Sequence, residues 1–418
     1  MIVTGFAPWA PDHVTFPQAP FKRLMRPVVR PLSGSEEIVT AYRDGVVTAR
    51  SKRRLTGYTE AADLSSYQRV EIGDLVVHGL DILAGAVGVS DSDGAVSPVC
   101  TTCVPIGGAD PRYVSYVIRA QAATGFTQAM ARGIRQRSAD FRRWETLADL
   151  PVPSPPPNEQ RRIADYLDAE CRRIEPATAS LRRAADLLAE RARSRLEETV
   201  LLPQGPHQPA NGEWPSPVDW QRRSLVSLAS KFVDGDWIEA PYITDHGTRL
   251  LQTGNVGIGE FREKGGRSVS DQTFDDLRCT EVRPTDVLIC RLASPVGRAC
   301  IAPDLGVRMI TSVDVTIMRC GPEVEPAFVA AVLSTSSWLS RMAAEEQGST
   351  RARIARTRLG EFRIPVPDIR TQNRIAADVQ ERRAEVTAAT DRLKQEARLL
   401  AERRDALITA AVTGTIQV

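Results

Sequence analysis

The chain carries one long-period echo. Leu188-Ala189-Glu190-Arg191 recurs as Leu400-Ala401-Glu402-Arg403, and Gln160, Ile163 and Ala164 recur as Gln372, Ile375 and Ala376. The same offset of 212 residues takes Asp74 to Asp286 and Gly85 to Gly297. Repeats of about 20–50 residues build solenoids or propellers. A single period this long, in a chain of 418 residues, instead implies two copies of a whole module. Such a chain should offer two similar surfaces to one extended partner.

Composition narrows the class. With 42% hydrophobic and 25% charged residues the chain can bury sizeable cores, and its length suits roughly two to four domains. No apolar run approaches the ~20 residues that span a bilayer. Met1 to Ala10 lacks a basic stretch followed by an apolar one, so no secretory signal is visible. Seven cysteines, odd in number and mostly isolated, fit reduced thiols. A cytoplasmic location is expected. Cys100 and Cys103 have half the spacing of a zinc site, but no second pair follows and His13, His78, His207 and His246 are scattered. No metal is expected.

Each copy reads as a mixed globular part followed by a long helix. The first globular part ends at Pro151-Val152-Pro153-Ser154-Pro155-Pro156-Pro157, where proline excludes helix interior. Asn158 then makes an N-cap for a helix starting at Glu159-Gln160. Ile364-Pro365-Val366-Pro367-Asp368 performs the same service in the second copy. A heptad stripe follows in each: Leu167, Ile174, Leu181 and Leu188, then Val379, Val386, Leu393, Leu400 and Leu407. Small residues lie four places on, at Ala185, Ala192, Thr390, Ala397 and Ala411, which suits two helices in close coiled-coil contact. A rod of about 40 residues is about 60 Å long. Two helices packed separately on their own heads would leave the matched registers unexplained. Pro176 should kink the first helix or start a second one at its N1 position. In the globular parts, 70–78 and 282–290 read as a turn feeding a short apolar strand, and 112–121 and 326–342 as helices. The resulting boundaries are 1–157, 158–202, 203–367 and 368–418.

Net charge is only +2, but the cations cluster. Arg132, Arg135, Arg137, Arg142 and Arg143 form one group, and Arg351, Arg353, Arg356 and Arg358 another. Such patches suit phosphate or form an ordinary solvated face. Catalytic signatures are absent: no GxxxxGK[ST] loop, no GxGxxG after a strand, no nucleophile elbow and no defensible acid/base pair. Ser154-Pro155-Pro156 has the Pro-Pro of amino-methyltransferases, but more proline follows in place of an aromatic residue. A duplicated module without chemistry binds. Two heads at a set distance suit duplex DNA, whose half-sites recur every ~34 Å.

Pro-x-Pro followed by Glu159-Gln160-Arg161-Arg162-Ile163-Ala164-Asp165-Tyr166-Leu167, with Arg403-Arg404-Asp405-Ala406-Leu407-Ile408-Thr409-Ala410-Ala411-Val412-Thr413-Gly414 at the end, resembles the specificity subunit of type I restriction-modification systems. Gly73-Asp74-Leu75-Val76-Val77-His78, with Gly85 and Gly88 after it, is similar to the family's target-recognition domains. The resemblance covers nearly the whole chain in the order recognition domain, helix, recognition domain, helix. Thr371 stands where the first copy has Glu159, and Pro176 interrupts a helix that is continuous in the family. The resemblance implies an α+β chain: two mixed α/β target-recognition domains separated by two helices that form an antiparallel coiled coil, with pseudo-two-fold duplication. It implies no catalysis and no cofactor of its own. S-adenosylmethionine, ATP and magnesium would belong to two modification subunits and a translocating restriction subunit. The chain would read a bipartite, asymmetric duplex site.

For DNA the first candidates are Arg135, Arg137, Arg351 and Arg353, which follow glycines and suit both phosphates and guanine edges. His78, Asp81 and Ser97 in the first head, and Gln252, Asn255, Arg291 and Arg298 in the second, are the next. The alternative is a two-headed DNA or protein scaffold that reads no sequence. It would bind DNA without sequence preference, or not at all.

Overall fold

A computed structural model describes residues 15–34, 36–53, 64–130, 141–201, 220–345 and 352–418. It falls into two compact units, Met1–Arg182 with Gln395–Val418, and Arg183–Lys394. Each unit holds one head together with one end of each long helix.

In the first unit the chain forms β1 (Gln18–Pro20), β2 (Met25–Pro27), β3 (Val39–Ala41), β4 (Val47–Ala49), β5 (Gln68–Val70), β6 (Leu75–His78), β7 (Val87–Val89), β8 (Gly94–Val96) and β9 (Cys100–Pro105). Helices α1 (Pro111–Ala123), α2 (Phe126–Met130) and α3 (Trp144–Ala148) follow, then β10 (Pro151–Pro153) and the start of α4 (Pro157–Leu201). The main sheet has the order β2-β9-β6-β7 and is antiparallel throughout. Strand β6 is apolar on both faces because both are covered. Leu75 and Val77 join the core under α1 with Tyr113, Val114, Val117 and Ile118, while Val76 faces a smaller cluster with Val39, Val47 and Val96. Helix α1 starts with Pro111 at its first position and Asp110 as cap, accepting from Arg112 N at 2.8 Å.

The second unit repeats this plan. It contains β11 (Gln221–Ser224), α5 (Leu225–Leu228), β12 (Ala229–Asp234), β13 (Ile243–Thr244), β14 (Thr248–Leu251), β15 (Ser268–Val269), α6 (Asp271–Asp276), β16 (Val287–Cys290), β17 (Ala299–Ile301), β18 (Met309–Thr311) and β19 (Val315–Cys320). Then come α7 (Pro326–Val332), α8 (Ser336–Ala344), α9 (Arg356–Glu361), β20 (Arg363–Val366) and α10 (Ile369–Thr413). Its main sheet, β12-β19-β16-β17, matches the first strand for strand, and β11 pairs with β20 as β1 pairs with β10. The lateral strands do not match. The first unit has β3·β4 and β5·β8 ribbons, the second a four-stranded sheet β13-β15-β14-β18 with β14 and β18 parallel.

The echoed residues are joints of this common plan. Gln160 accepts from Asp110 N at 3.1 Å and donates to Pro155 O at 2.8 Å. Its counterpart Gln372 accepts from Glu325 N at 2.9 Å and donates to Pro367 O at 2.9 Å. Each buried glutamine therefore ties the cap of a head helix to the proline stretch that opens a long helix. Asp74 holds its turn by accepting from Glu71 N at 2.8 Å and pairs with Arg30. Asp286 accepts from Arg283 N at 2.8 Å and pairs with Arg319 at 2.7 Å. The carboxylate is repeated, but its arginine comes from the coil after β2 in the first head and from β19 in the second. Gly85 and Gly297 both sit at left-handed φ, +84° and +77°.

Within each unit the two long helices run antiparallel. In the first, Ile163, Ala164, Leu167 and Cys171 near the start of α4 share a core with Ile408, Ala411 and Val412 near the end of α10. In the second, Val200 and Leu201 at the end of α4 share one with Ile375, Ala376 and Val379 near the start of α10. The stripe positions are buried (Leu167, Ile174, Val379) or half-buried (Leu181, Leu188, Val386, Leu393, Leu400, Leu407). Of the small positions, Ala185, Thr390, Ala397 and Ala411 are buried and Ala192 is half-buried.

Two local expectations change, and one of two alternatives at Pro176 drops out. Helix α4 starts at Pro157, so Asn158 is already helical and Pro156 O accepts the first bonds, from Glu159 N at 2.9 Å and Gln160 N at 3.0 Å. Proline suits this place because a first-turn N–H has no helical partner to lose. Helix α4 also runs on through Pro176, which is exposed, and no second helix starts there. The cost of about 3 kcal/mol for an interior proline is met by burial of Ile174 and Thr178 on either side. The stretch 326–342 is two helices, because Thr335 stops the run and caps α8 by accepting from Trp338 N. In the second long helix Asp368 is the cap, accepting from Thr371 N at 3.1 Å.

Candidate nucleic-acid interface

The same place in both heads gathers the candidate side chains: the turn after the apolar middle strand, β6 or β16. In the first head His78 ends β6, and its Nδ1 accepts from Asp81 N at 3.0 Å. Gly79 N donates to Val99 O at 2.9 Å, and Cys100 N to Ser97 O at 2.9 Å, so the Ser97 loop lies beside the His78 turn. Asp81 pairs with the exposed Arg43 at 3.0 Å. Burial holds the His78 imidazole below its ordinary pKa, against the pull of Asp81, so the ring is neutral near pH 7. Phe141 N donates to Gly79 O at 3.0 Å, which brings the chain following the first basic run alongside this turn.

The second head has the same layout with different contents. Ile354 N donates to Arg291 O at 3.1 Å and Ala293 N to Ala352 O at 3.0 Å, so the second basic run itself lies against the turn. Arg353 is exposed and pairs with Asp314 at 3.0 Å. Sequence places Asn255, Arg291 and Arg298 in surface turns, but the structure commits their polar groups inside the head. Arg291 is only 4% exposed; it pairs with Asp234 at 3.1 Å and donates to Ile354 O and Val313 O. Burial pulls its pKa down and Asp234 resists, though a guanidinium stays charged in this range. Arg298 donates to Val256, Ala293, Pro295 and Thr253 carbonyls at 2.7–2.9 Å, clamping the 252–256 loop to the 291–298 turn. Asn255 accepts from Gln252 N and donates to Arg262 O and Lys264 O. Gln252 itself stays half-buried at the same loop.

These clamps shape an outer loop that sequence reading misses. Arg262, Lys264 and Arg267 are all exposed beside Gly265 and Gly266, and the buried Arg249 holds their backbone by donating to Gly265 O at 2.7 Å. Asp234 and Asp314 were also unannounced, and Arg356 stood only as a member of the second basic cluster. Arg356 reaches Asp234 at 3.4 Å, so two aspartates interleave with Arg291, Arg353 and Arg356. Nothing local marks them, since Asp234 meets Arg291 only through the pairing of β12 with β19 and of β19 with β16. Arg135, Arg137 and Arg351 lie outside the described residues, as do His13 and His207.

The cysteine pair has no metal-binding geometry. Cys103 lies in the core under α1 and Cys100 in the smaller cluster on the other side of the sheet. Burial pushes both thiols up to about 12, which leaves them protonated. Among the described residues no three His, Cys, Asp or Glu side chains gather to hold a metal, and no helix is long and apolar enough to cross a membrane.

No protein-family model and no curated protein matches the chain. Solved structures do. A chain from a structure described as the basis of complex assembly and conformational transition of the type I R-M system aligns over 100% of both chains, at a TM-score of 0.69 and 16% identity. The two chains therefore share a fold. The HsdS subunit from Thermoanaerobacter tengcongensis aligns over 96% of this chain and 97% of its own, with a TM-score of 0.47 and 17% identity. The type I restriction-modification S subunit from M. genitalium aligns over 95% and 96%, with a TM-score of 0.42 and 14% identity.

Proposed function

We propose that this chain is the DNA-recognition (specificity) subunit of a type I restriction-modification complex. It reads a bipartite, asymmetric duplex site, one half with each head, and docks two modification subunits. The recognition domains are 1–157 and 203–367, and the helical regions 158–202 and 368–418. The observation that carries this reading is a duplicated frame with unlike contents: the same sheet order and joints in both heads, with different side chains at the turn where the basic segments return. One frame used twice suits a regular ligand, and unlike turns suit two unlike half-sites. The full-length fold shared with a type I R-M chain supports the same reading.

The chain has no catalytic role in this scheme. S-adenosylmethionine, ATP and magnesium act in partner subunits. Arg135, Arg137, Arg351 and Arg353 contact DNA first, helped by the loops of His78, Asp81, Ser97 and Gln252. Asn255, Arg291 and Arg298 shape those loops. Methylome sequencing of cells that co-express the chain with its modification subunit should reveal adenine methylation at one two-part motif. Methylation without such a motif would sink the proposal. Four residues inserted in one long helix should change the spacer and leave both half-sequences intact.

A further inference from the structure

Three arginines from separate elements line one cavity inside the first unit. The cavity measures about 160 Å3 and has on its wall Arg43 from the turn between β3 and β4, Arg119 from α1 and Arg404 from α10. Leu83 and Ile408 supply apolar wall, which weakens screening and strengthens the pull of the cations on an anion. A void of about 150 Å3 holds a benzene-sized guest, so a tetrahedral oxyanion fits with water to spare. Asp405 is the one carboxylate on the wall, against three guanidiniums.

The three arginines are not equally occupied. Arg404 gives Nε and Nη2 to Asp405 at 2.9 and 2.7 Å, and Arg43 reaches Asp81 at 3.0 Å. The Arg119 side chain is only 12% exposed, yet among the described residues it makes no hydrogen bond. It meets Glu175 at 3.8 Å, and Arg404 draws on the same carboxylate oxygen at 3.6 Å. A guanidinium has five donors, and withdrawing them from water is costly unless acceptors replace it. The fold nevertheless makes room for this one: a Cβ on Gly45, in the β3–β4 turn, would lie 2.7 Å from Arg119 Cζ.

The shared frame does not require these side chains. Arg119 stands nine residues after the cap Asp110, and Ser334 stands nine after the matching cap Glu325. The 212-residue offset takes Arg404 back to Ala192. Ser334 and Ala192 also line one cavity, in the second unit. The same place in the plan therefore gained two guanidiniums in the first unit alone.

We propose that the first-unit cavity binds one phosphoryl group, as inorganic phosphate or as the phosphate of a mononucleotide. Arg119 supplies the unanswered donors, Arg404 the second cation, and the exposed Arg43 the third. Guanidinium forks match phosphate oxygens, which is the acceptor set that Arg119 lacks. The bound group fastens the β3–β4 turn to α1 and α10, and it competes with Asp81 for Arg43. The site stands apart from the recognition role above, since it needs neither a DNA sequence nor a partner subunit.

Isothermal titration calorimetry of the full-length chain with sodium phosphate, at an ionic strength held constant with chloride, tests this. One phosphate should bind per chain. Arg119→Gln and Arg404→Gln should each weaken binding at least about tenfold, and Arg43→Gln about threefold. Ala123→Glu, at an exposed position on the cavity wall, keeps all three arginines and should also abolish binding. It serves if a buried-arginine variant fails to fold, which circular dichroism in chloride would show. Adenosine monophosphate that displaces phosphate and binds more tightly would assign the mononucleotide as source, and phosphate that binds alone would assign the free ion. Heats unchanged in Arg119→Gln and Ala123→Glu would mean an adventitious ion only and overturn the proposal. Duplex DNA that competes with phosphate, and stops competing in Ala123→Glu, would make the cavity a backbone contact and overturn it too.

Discussion

Where the second head places Arg291 and Arg298, the first places Gly79 and Ala86 at the equivalent positions. Both heads need the chain at or just after the basic run to lie against the turn that follows the middle strand. The first achieves this by removing a side chain: a Cβ on Gly79 would sit 2.8 Å from Arg142 N. The second makes an equally short backbone bond, Ile354 N to Arg291 O at 3.1 Å, but carries there a buried guanidinium bound to Ile354 O, Val313 O and Asp234. One frame thus supports a small-residue turn and an arginine-clamped one. The frame specifies where a recognition loop sits, and the filling decides its shape.

The largest test of the shared frame concerns its aspartates. Asp286→Ala should cost about 3–5 kcal/mol in the second unit by stranding Arg319, and Asp74→Ala less in the first, because Arg30 keeps Glu71 at 3.4 Å. Hydrogen exchange resolved by unit would show it. If one loss proved small, the two joints would not be equivalent.

The next test concerns the filling. Arg298→Ala removes a charged donor from four carbonyls and should destabilise the second head by about 2–3 kcal/mol. Exchange should quicken around 252–256 and 291–298, while the first head, with Ala86 in that place, stays protected. Methylation should then blur at one half-site only.

Arg353→Ala should be milder. Its exposed guanidinium is free to exchange Asp314 for a phosphate, so DNA affinity should fall about five- to tenfold and the salt slope by about 1. A gel-shift titration across salt concentrations measures both, and an unchanged slope would remove Arg353 from the phosphate contacts. The smallest effect is a pH dependence peculiar to the first head. Burial lowers the folded-state pKa of His78, so the unfolded chain binds its proton first. The first unit should therefore keep full stability above about pH 6.5 and lose some as pH falls below it. His78→Gln should flatten that slope, and the second head, with Cys290 at that position, should lack it.

The frame was legible in sequence because its residues are spaced by rules that backbone geometry enforces. Heptads, proline breaks and the Gly-Asp turns occur twice, and α4, α10, β6 and β16 follow from them. The errors were local contests between neighbours. Pro157 took the first helical position ahead of Asn158, and the Thr335 hydroxyl ended one helix and began another. The interface was far less legible. A loop arginine reads the same whether it faces water or four carbonyls, so Arg298 looked like Arg353. Asp234 and Arg291 meet only after three strands align, and no spacing in the chain announces that pairing.

The hydrogen bond from Thr15 N to Thr413 O joins the described start of the chain to α10 inside the first unit, and that from Tyr113 Oη to Val412 O joins α1 to the same helix. The head that leaves the ribosome first is thus the one that must wait. The second unit has all its residues once Lys394 is made, whereas the first lacks Ile408, Ala411 and Val412 from its core until the far end of α10 is made. A truncation before residue 408 should therefore expose apolar surface in the N-terminal head and leave the later one protected. Both heads are complete only once α10 has been made through Val412.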